Sequence, residues 1–229
     1  MRNNFLLDAD ETILDFVRSS RESLRVAMAE AGLPYSEEDF AVYKSINDRV
    51  WREYEQGLLT KPRLVVERFA RFFAAKGIDA DPAAVNALYF SHLCRTGYLL
   101  DGAEEFIRAL HERGKIFLIT NGTPAAQYGR LEALGLRRAF DGIFVSDEVG
   151  YAKPDVRFFD AVLRGAGLKR EECIVVGDSL TSDIAGAAAS GICSVWYAPQ
   201  GAQPRGAVPD AVARNYAEIL SAVDALRES

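Results

Sequence analysis

Positive charge, histidine, cysteine and long apolar runs are all scarce in this chain. Lys and Arg number 27 against 33 Asp and Glu among 229 residues, a net charge of −6 at pH 7. That balance argues against a nucleic-acid polymer or a membrane surface as partner, because clustered cations hold such surfaces. A small phosphorylated molecule stays compatible, since it needs only a local positive site. No apolar run approaches the roughly 20 residues that span a bilayer. A strand-like segment starting at Asn4 or Phe5 leaves no room for the charged region and apolar stretch of a signal peptide. The three cysteines, Cys94, Cys173 and Cys193, are scattered and form no CxxC. Cys94 has His92 nearby, but no further ligand pair joins it, and Cys173 and Cys193 sit in apolar segments as inert thiols. The two histidines, His92 and His111, have no metal-ligand spacing. A cytoplasmic location is the resulting expectation.

What is present is a folded-protein composition, 49% apolar and 26% charged, long enough to bury a sizeable core. Short, nearly continuous apolar runs recur at Phe5–Leu7, Lys115–Thr120, Gly142–Ser146, Cys173–Gly177 and Ile192–Tyr197. Such runs suit parallel strands covered on both faces. Helical stretches are expected at Thr123–Leu134, Asp155–Gly165, Thr181–Ser190 and Tyr216–Leu226. Strand alternating with helix predicts a doubly wound, mainly parallel, Rossmann-like α/β sheet. Gln200–Pro209, with its Gly and Pro residues, reads as a surface loop.

Residues 16–97 break the alternation. Apolar residues return at helical spacing over Phe16–Ala31, Glu37–Gln56, Lys61–Lys76 and Asp81–Cys94, punctuated by Gly32-Leu33-Pro34, Gly57 and the Gly77–Pro82 stretch. The expected organisation is an α/β core of residues 1–15 and 98–229 with an inserted α-helical bundle of residues 16–97. Ile13–Phe16 and Thr96–Gly102 would be its two connections.

Polar residues gather after the strands, where open α/β sheets bind ligands. Asp8 and Asp10 follow the first strand, and Thr120, Asn121 and Gly122 close the second. Lys153-Pro154 comes after the third, and Gly177-Asp178-Ser179 with Asp183 follows the fourth. Any one of these clusters reads equally well as a turn, a helix cap or a solvated charge. Four of them in order, all at strand ends, point to a shared site. Two crowded carboxylates such as Asp8 and Asp10 resist ionising together unless a cation or divided acid and base roles accommodate them.

These clusters resemble the four signature motifs of the haloacid dehalogenase superfamily, and the helical insertion after the first resembles its C1 cap. The resemblance implies that Asp8 is the nucleophile and forms an aspartyl-phosphate. Asp10 would be the general acid and base. Mg²⁺ would be held by Asp8, the Asp10 backbone carbonyl and Asp178. Thr120, Asn121 and Lys153 would bind the phosphate, and Asp183 would either bind a metal water or orient Lys153. An aspartate at position 10, where dehalogenases typically carry an aromatic residue, favours phosphatase chemistry. A sugar phosphomutase keeps the same aspartates and stays open.

Within the insertion, Ile46-Asn47, Trp51, Tyr54, Gly57 and Arg68-Phe69, together with Asp147-Glu148-Val149-Gly150, resemble the pyrimidine 5′-nucleotidases. That narrower likeness implies nucleoside monophosphates, ordinary and noncanonical, as the phosphate monoester substrates. Asn47, Trp51 and Tyr54 follow i, i+4, i+7 spacing and share one helix face. They either stack and hydrogen-bond a base or belong to the bundle core, and Arg68 either approaches substrate or makes an ion pair. Phosphoglycolate or sugar-phosphate hydrolysis is the alternative among enzymes. A non-catalytic phosphate-binding protein is the alternative outside them.

Overall fold

Why the chain builds one sheet is visible in its first strand. In a computed structural model that describes residues 1–201, 203–204 and 206–228, strand β1 covers Asn4–Asp8 and every residue of it is buried. Phe5 and Leu7 point into one hydrophobic cluster and Leu6 into the other. That is the two-residue alternation of a strand with a layer on each face. The chain then enters helices α1 (Phe16–Glu30), α2 (Glu37–Glu55), α3 (Lys61–Lys76) and α4 (Pro82–Leu93). It resumes alternation with α5 (Ala103–His111), β2 (Lys115–Thr120), α6 (Pro124–Ala133), β3 (Gly142–Val145), α7 (Ser146–Val149) and α8 (Val156–Ala166). A 3₁₀ turn (Arg170–Glu172), strand β4 (Cys173–Gly177), a π-helical turn (Leu180–Ile184), α9 (Ala185–Ser190), β5 (Cys193–Tyr197), β6 (Ala211–Ala213) and α10 (Tyr216–Glu228) complete the order.

The strands lie side by side as β3-β2-β1-β4-β5-β6, all pairings parallel. The order reverses between β1 and β4, the point at which doubly wound sheets open a crevice beyond the strand ends. Asp8 pairs in register with Ile119, and Leu7 with Val176, so the ends of β1, β2 and β4 come level. Helices α5 and α10 cover one face through Phe106, Ile107, Leu110, Ile219 and Val223. Helices α8 and α9 cover the other through Phe158, Phe159, Val162 and Ala187.

The contacts divide the chain into a sheet unit, residues 1–16 with 98–229, and a helical unit, residues 17–97. Within the sheet unit the two connecting segments pair with each other. Leu14 bridges Leu99, Leu100 N donates to Ile13 O at 3.0 Å, and Asp15 N donates to Tyr98 O at 2.9 Å. In the helical unit, Pro62 sits in the first turn of α3 and Gly77 ends it at φ 65°, a left-handed conformation glycine adopts without penalty. Asp81 caps α4 by accepting from Ala83 N. Its interior is aromatic: Tyr43 lies 5.4–5.8 Å from the rings of Phe69, Phe72 and Tyr89.

Several elements differ from the sequence expectation. The helix expected over Thr123–Leu134 starts at Pro124 and ends at Ala133. The helix expected over Thr181–Ser190 is a π-helical turn followed by the short α9. There Ser179 accepts from Ser182 N, and its amide is drawn to the Asp183 carboxylate. Helices α5 and α7 and strand β6 were not anticipated. The three-residue β6 is too short to carry periodicity, whereas the apolar face of α5 was there to be read in Phe106, Ile107 and Leu110. Within Gln200–Pro209, Ala202 and Arg205 lie outside the described residues, and the described remainder contains no helix or strand.

Candidate active site

Three carboxylates converge where β1 and β4 end. Asp8, Asp178 and Asp183 each place an oxygen within 4.8 Å of the others. Asp8 is the last residue of β1 and is 7% exposed; Asp178 follows β4; Asp183 rises from the π-helical turn. Burial, reinforced by the neighbouring Asp183 and Asp10 charges and opposed by Lys153, pushes the Asp8 carboxyl up to about 7. Burial, with Asp8 and Asp183 beside it, also raises Asp178 well above the usual carboxylate range. An all-oxygen cluster in which Asp8 and Asp178 resist ionising without added positive charge is chemically suited to a hard divalent cation.

Lys153 supplies a fixed part of that charge. Its ammonium donates to Asp8 Oδ1 at 2.6 Å, Asp183 Oδ1 at 2.7 Å and the Ile119 carbonyl at 3.0 Å. All three protons are used, and the side chain is 2% exposed. Burial alone would lower its pKa, but the Asp183 and Asp8 charges outweigh that and raise it above the ordinary lysine value. The other Asp183 oxygen accepts from Ser179 N at 3.1 Å. Thr12 Oγ1 donates to Asp8 Oδ2 at 3.0 Å, so both oxygens of Asp8 are engaged.

Backbone and side chain cooperate at the end of β2. Asn121 clamps the Lys153 backbone, donating from Nδ2 to its carbonyl and accepting from its amide, both at 2.8 Å. The Asn121 side chain therefore fixes the lysine loop. Thr120 Oγ1 accepts from Gly122 N at 3.0 Å and Gln127 Nε2 at 2.9 Å.

Asp10 lies beyond the strand in a tight loop where Glu11 takes φ 60°. Its carboxylate is held from α6, by Arg130 Nη2 at 2.6 Å on Oδ1 and by Gln127 Nε2 at 2.7 Å on Oδ2. Neither Gln127 nor Arg130 was picked out from sequence. Their i, i+3 spacing puts them on one helix face, yet only the fold sets that face against the loop after β1.

The residues singled out in the insertion all belong to the helical unit. Asn47 and Arg68 are 4% and 3% exposed and meet each other, Arg68 Nη1 lying 3.4 Å from Asn47 Oδ1. Arg68 also donates to Asn86 Oδ1 at 2.8 Å and stacks 4.6 Å from the centre of the Tyr89 ring. Among the described residues it is held by amides and rings, without a carboxylate partner. Trp51 and Tyr54 are half-buried, edge to face at 5.7 Å, and the Lys61 ammonium lies 6.0 and 5.6 Å from their rings. His92 Nε2 sits 3.1 Å from Glu30, and His111 Nε2 2.7 Å from the Ala139 carbonyl.

The model of the haloacid dehalogenase-like hydrolases matches residues 3–191 of this chain. The Bacillus subtilis HAD-hydrolase YfnB is 35% identical over 85% of this chain and 83% of its own. The pyrimidine 5′-nucleotidase PynA of Streptococcus pneumoniae is 32% identical over 96% and 94% of the two chains. The pyrimidine 5′-nucleotidase YjjG of Escherichia coli is 34% identical over 88% and 89%. A crystal structure of YfnB bound to magnesium superposes with a TM-score of 0.90 at 32% identity, covering 96% of this chain and 97% of that one.

Proposed function

The chain belongs to the haloacid dehalogenase-like hydrolases, and from that premise we propose that it is a Mg²⁺-dependent phosphomonoesterase acting on pyrimidine nucleoside 5′-monophosphates. The observation that carries the chemistry is the buried Lys153, bonded at once to Asp8 and Asp183 beside Asp178. Asp8 attacks phosphorus, a bond forms to its carboxylate oxygen, and the ester P–O bond breaks. Asp10 gives its proton to the departing oxygen. It then takes one from the water that attacks the aspartyl-phosphate and releases inorganic phosphate. Thr120, whose oxygen already accepts two bonds, has its hydroxyl proton left for a phosphate oxygen. The amide of Asn121 and the Lys153 ammonium add positive potential where negative charge develops.

The carboxylates of Asp8 and Asp178 and the Asp10 carbonyl would hold the cation. Bound there, Mg²⁺ would neutralise phosphate charge. Asp183 already orients Lys153, so we assign it that role in preference to a metal water. We assign the catalytic chemistry to the sheet unit and the choice of leaving group to the inserted helical unit. Two relatives named pyrimidine 5′-nucleotidases, matched over most of their length, support the substrate class, and Trp51 and Tyr54 offer aromatic area for a base.

Asp8→Asn, which keeps the shape and removes the nucleophile, is expected to reduce phosphate release from UMP to background while the protein stays folded. Wild-type turnover in that variant would contradict the assignment. A screen of about a dozen esters at one Mg²⁺ concentration tests the substrate class. Activity confined to sugar phosphates or phosphoglycolate would remove the nucleotidase reading and leave the phosphatase one standing.

A further inference from the structure

Arg130 is a buried cation of the sheet unit whose guanidinium is only partly paired. It is 1% exposed, and its Nε and Nη1 atoms have no hydrogen-bond partner among the described residues. Its whole polar engagement runs through Nη2, to Asp10 Oδ1 at 2.6 Å and Gln127 Oε1 at 3.0 Å. Burying a guanidinium with donors unmet is costly, and a side chain selected only for packing would not be charged here. Gln127, also 1% exposed, completes the arrangement. Its oxygen orients Arg130, and its amide nitrogen reaches both Asp10 Oδ2 and Thr120 Oγ1.

We infer that Gln127 and Arg130 are positioning residues that seat the Asp10 carboxyl group for proton transfer. The inference rests on the reading of Asp10 as general acid and base. Asp10 stands on a loop and its side chain is 29% exposed, so without a seat it samples rotamers that point away from the leaving oxygen. Donors on both oxygens confine it. The shared Gln127 amide fixes its distance from Thr120, the hydroxyl assigned to the phosphate, so the proton donor and the phosphate grip are set by one side chain. The guanidinium also lies 5.5 Å from the ring centre of Phe16, the last residue of the sheet unit before the helical unit begins. The seat thus touches the segment through which the chain enters the helical unit. In the first half-reaction the proton passes from Asp10 to the ester oxygen as the P–O bond breaks, and neither Gln127 nor Arg130 gains or loses a proton.

The test separates proton delivery from general damage by the leaving group. An alcohol leaving group, as in UMP, needs the proton; p-nitrophenolate departs almost without it. In the Mg²⁺-loaded full chain, Arg130→Gln is expected to lower kcat/KM for UMP by about 10- to 100-fold, the range for a displaced catalytic group. For p-nitrophenyl phosphate the loss should be only a few-fold. Gln127→Met should show the same disproportion, and Arg130→Lys should recover part of the UMP activity. In an Asp10→Asn background, Arg130→Gln should have little further effect. Equal losses on both esters, or full additivity with Asp10→Asn, would overturn the inference while leaving the phosphatase reading intact. Should Arg130→Gln unfold, Gln127→Met and Arg130→Lys decide by the same ratio. A wild-type enzyme inactive on both esters would remove the reading of Asp10 and this inference with it.

Discussion

At the scale of single residues, the site is a problem of crowded negative charge. Lys153 makes it tolerable in the absence of metal, because each of its protons has an acceptor. Lys153→Met would leave two buried carboxylates without their cation. Its expected cost is about 3–5 kcal/mol of folding stability, read from urea denaturation of the metal-free protein. A change within experimental scatter would contradict that cost of leaving the carboxylates unpaired. The raised Asp8 pKa gives a second prediction, with its sign fixed by linkage. Folded Asp8 titrates at about 7 against an ordinary 3.8, so the folded protein binds this proton more tightly than the unfolded one. Its contribution favours folding at low pH and is lost as the pH rises from about 4 through about 7. A divalent cation needs the ionised carboxylate. The rise in Tm on adding Mg²⁺ is therefore expected to be larger at about pH 8 than at about pH 5.5; equal rises would contradict it.

At the scale of elements, what matters is how closely strand ends and the following turns approach. Gly177 ends β4 against the π-helical turn, and a Cβ there would collide with the Asp183 carboxylate. Gly177→Ala is expected to cost about 1–3 kcal/mol by overpacking and to reduce turnover by displacing Asp183 from Lys153. Unchanged activity would show that Asp183 has room to move. Gly122 stands in the same relation to Gln127, its Cβ meeting the side-chain amide. Neither approach is marked in the sequence beyond the glycine itself. Strands β1, β2, β4 and β5, by contrast, were legible: almost wholly buried, they read as nearly unbroken apolar runs. Helix α7 and strand β6 were not, because elements of four and three residues carry no period.

At the scale of the molecule, a helical unit of residues 17–97 interrupts the sheet unit immediately after its first strand and connection. Two substitutions separate substrate contact from folding within it. Arg68→Met removes a buried hydrogen-bonding group from Asn47 and Asn86 and is expected to destabilise by about 1–3 kcal/mol. Half-buried Trp51 makes a looser contact with Tyr54 and Lys61. Under the nucleotidase proposal Trp51→Ala should raise KM for UMP with little change in Tm. The reverse pattern, Tm falling and KM constant, would return Trp51 to a purely structural role.

Residue order alone carries the alternation of strand and helix, the run of helices between the first two strands, and the ordered polar clusters at strand ends. Each of these is local, written in periodicity and in which residues follow an apolar run. Folding in three dimensions sets what those clusters meet. It brought Asp183 and Asp8 onto one ammonium from positions 30 and 145 residues away along the chain. It also set Arg130 and Gln127 against Asp10 across 120 and 117 residues. Contacts of that kind depend on strand order and register, which no local pattern carries.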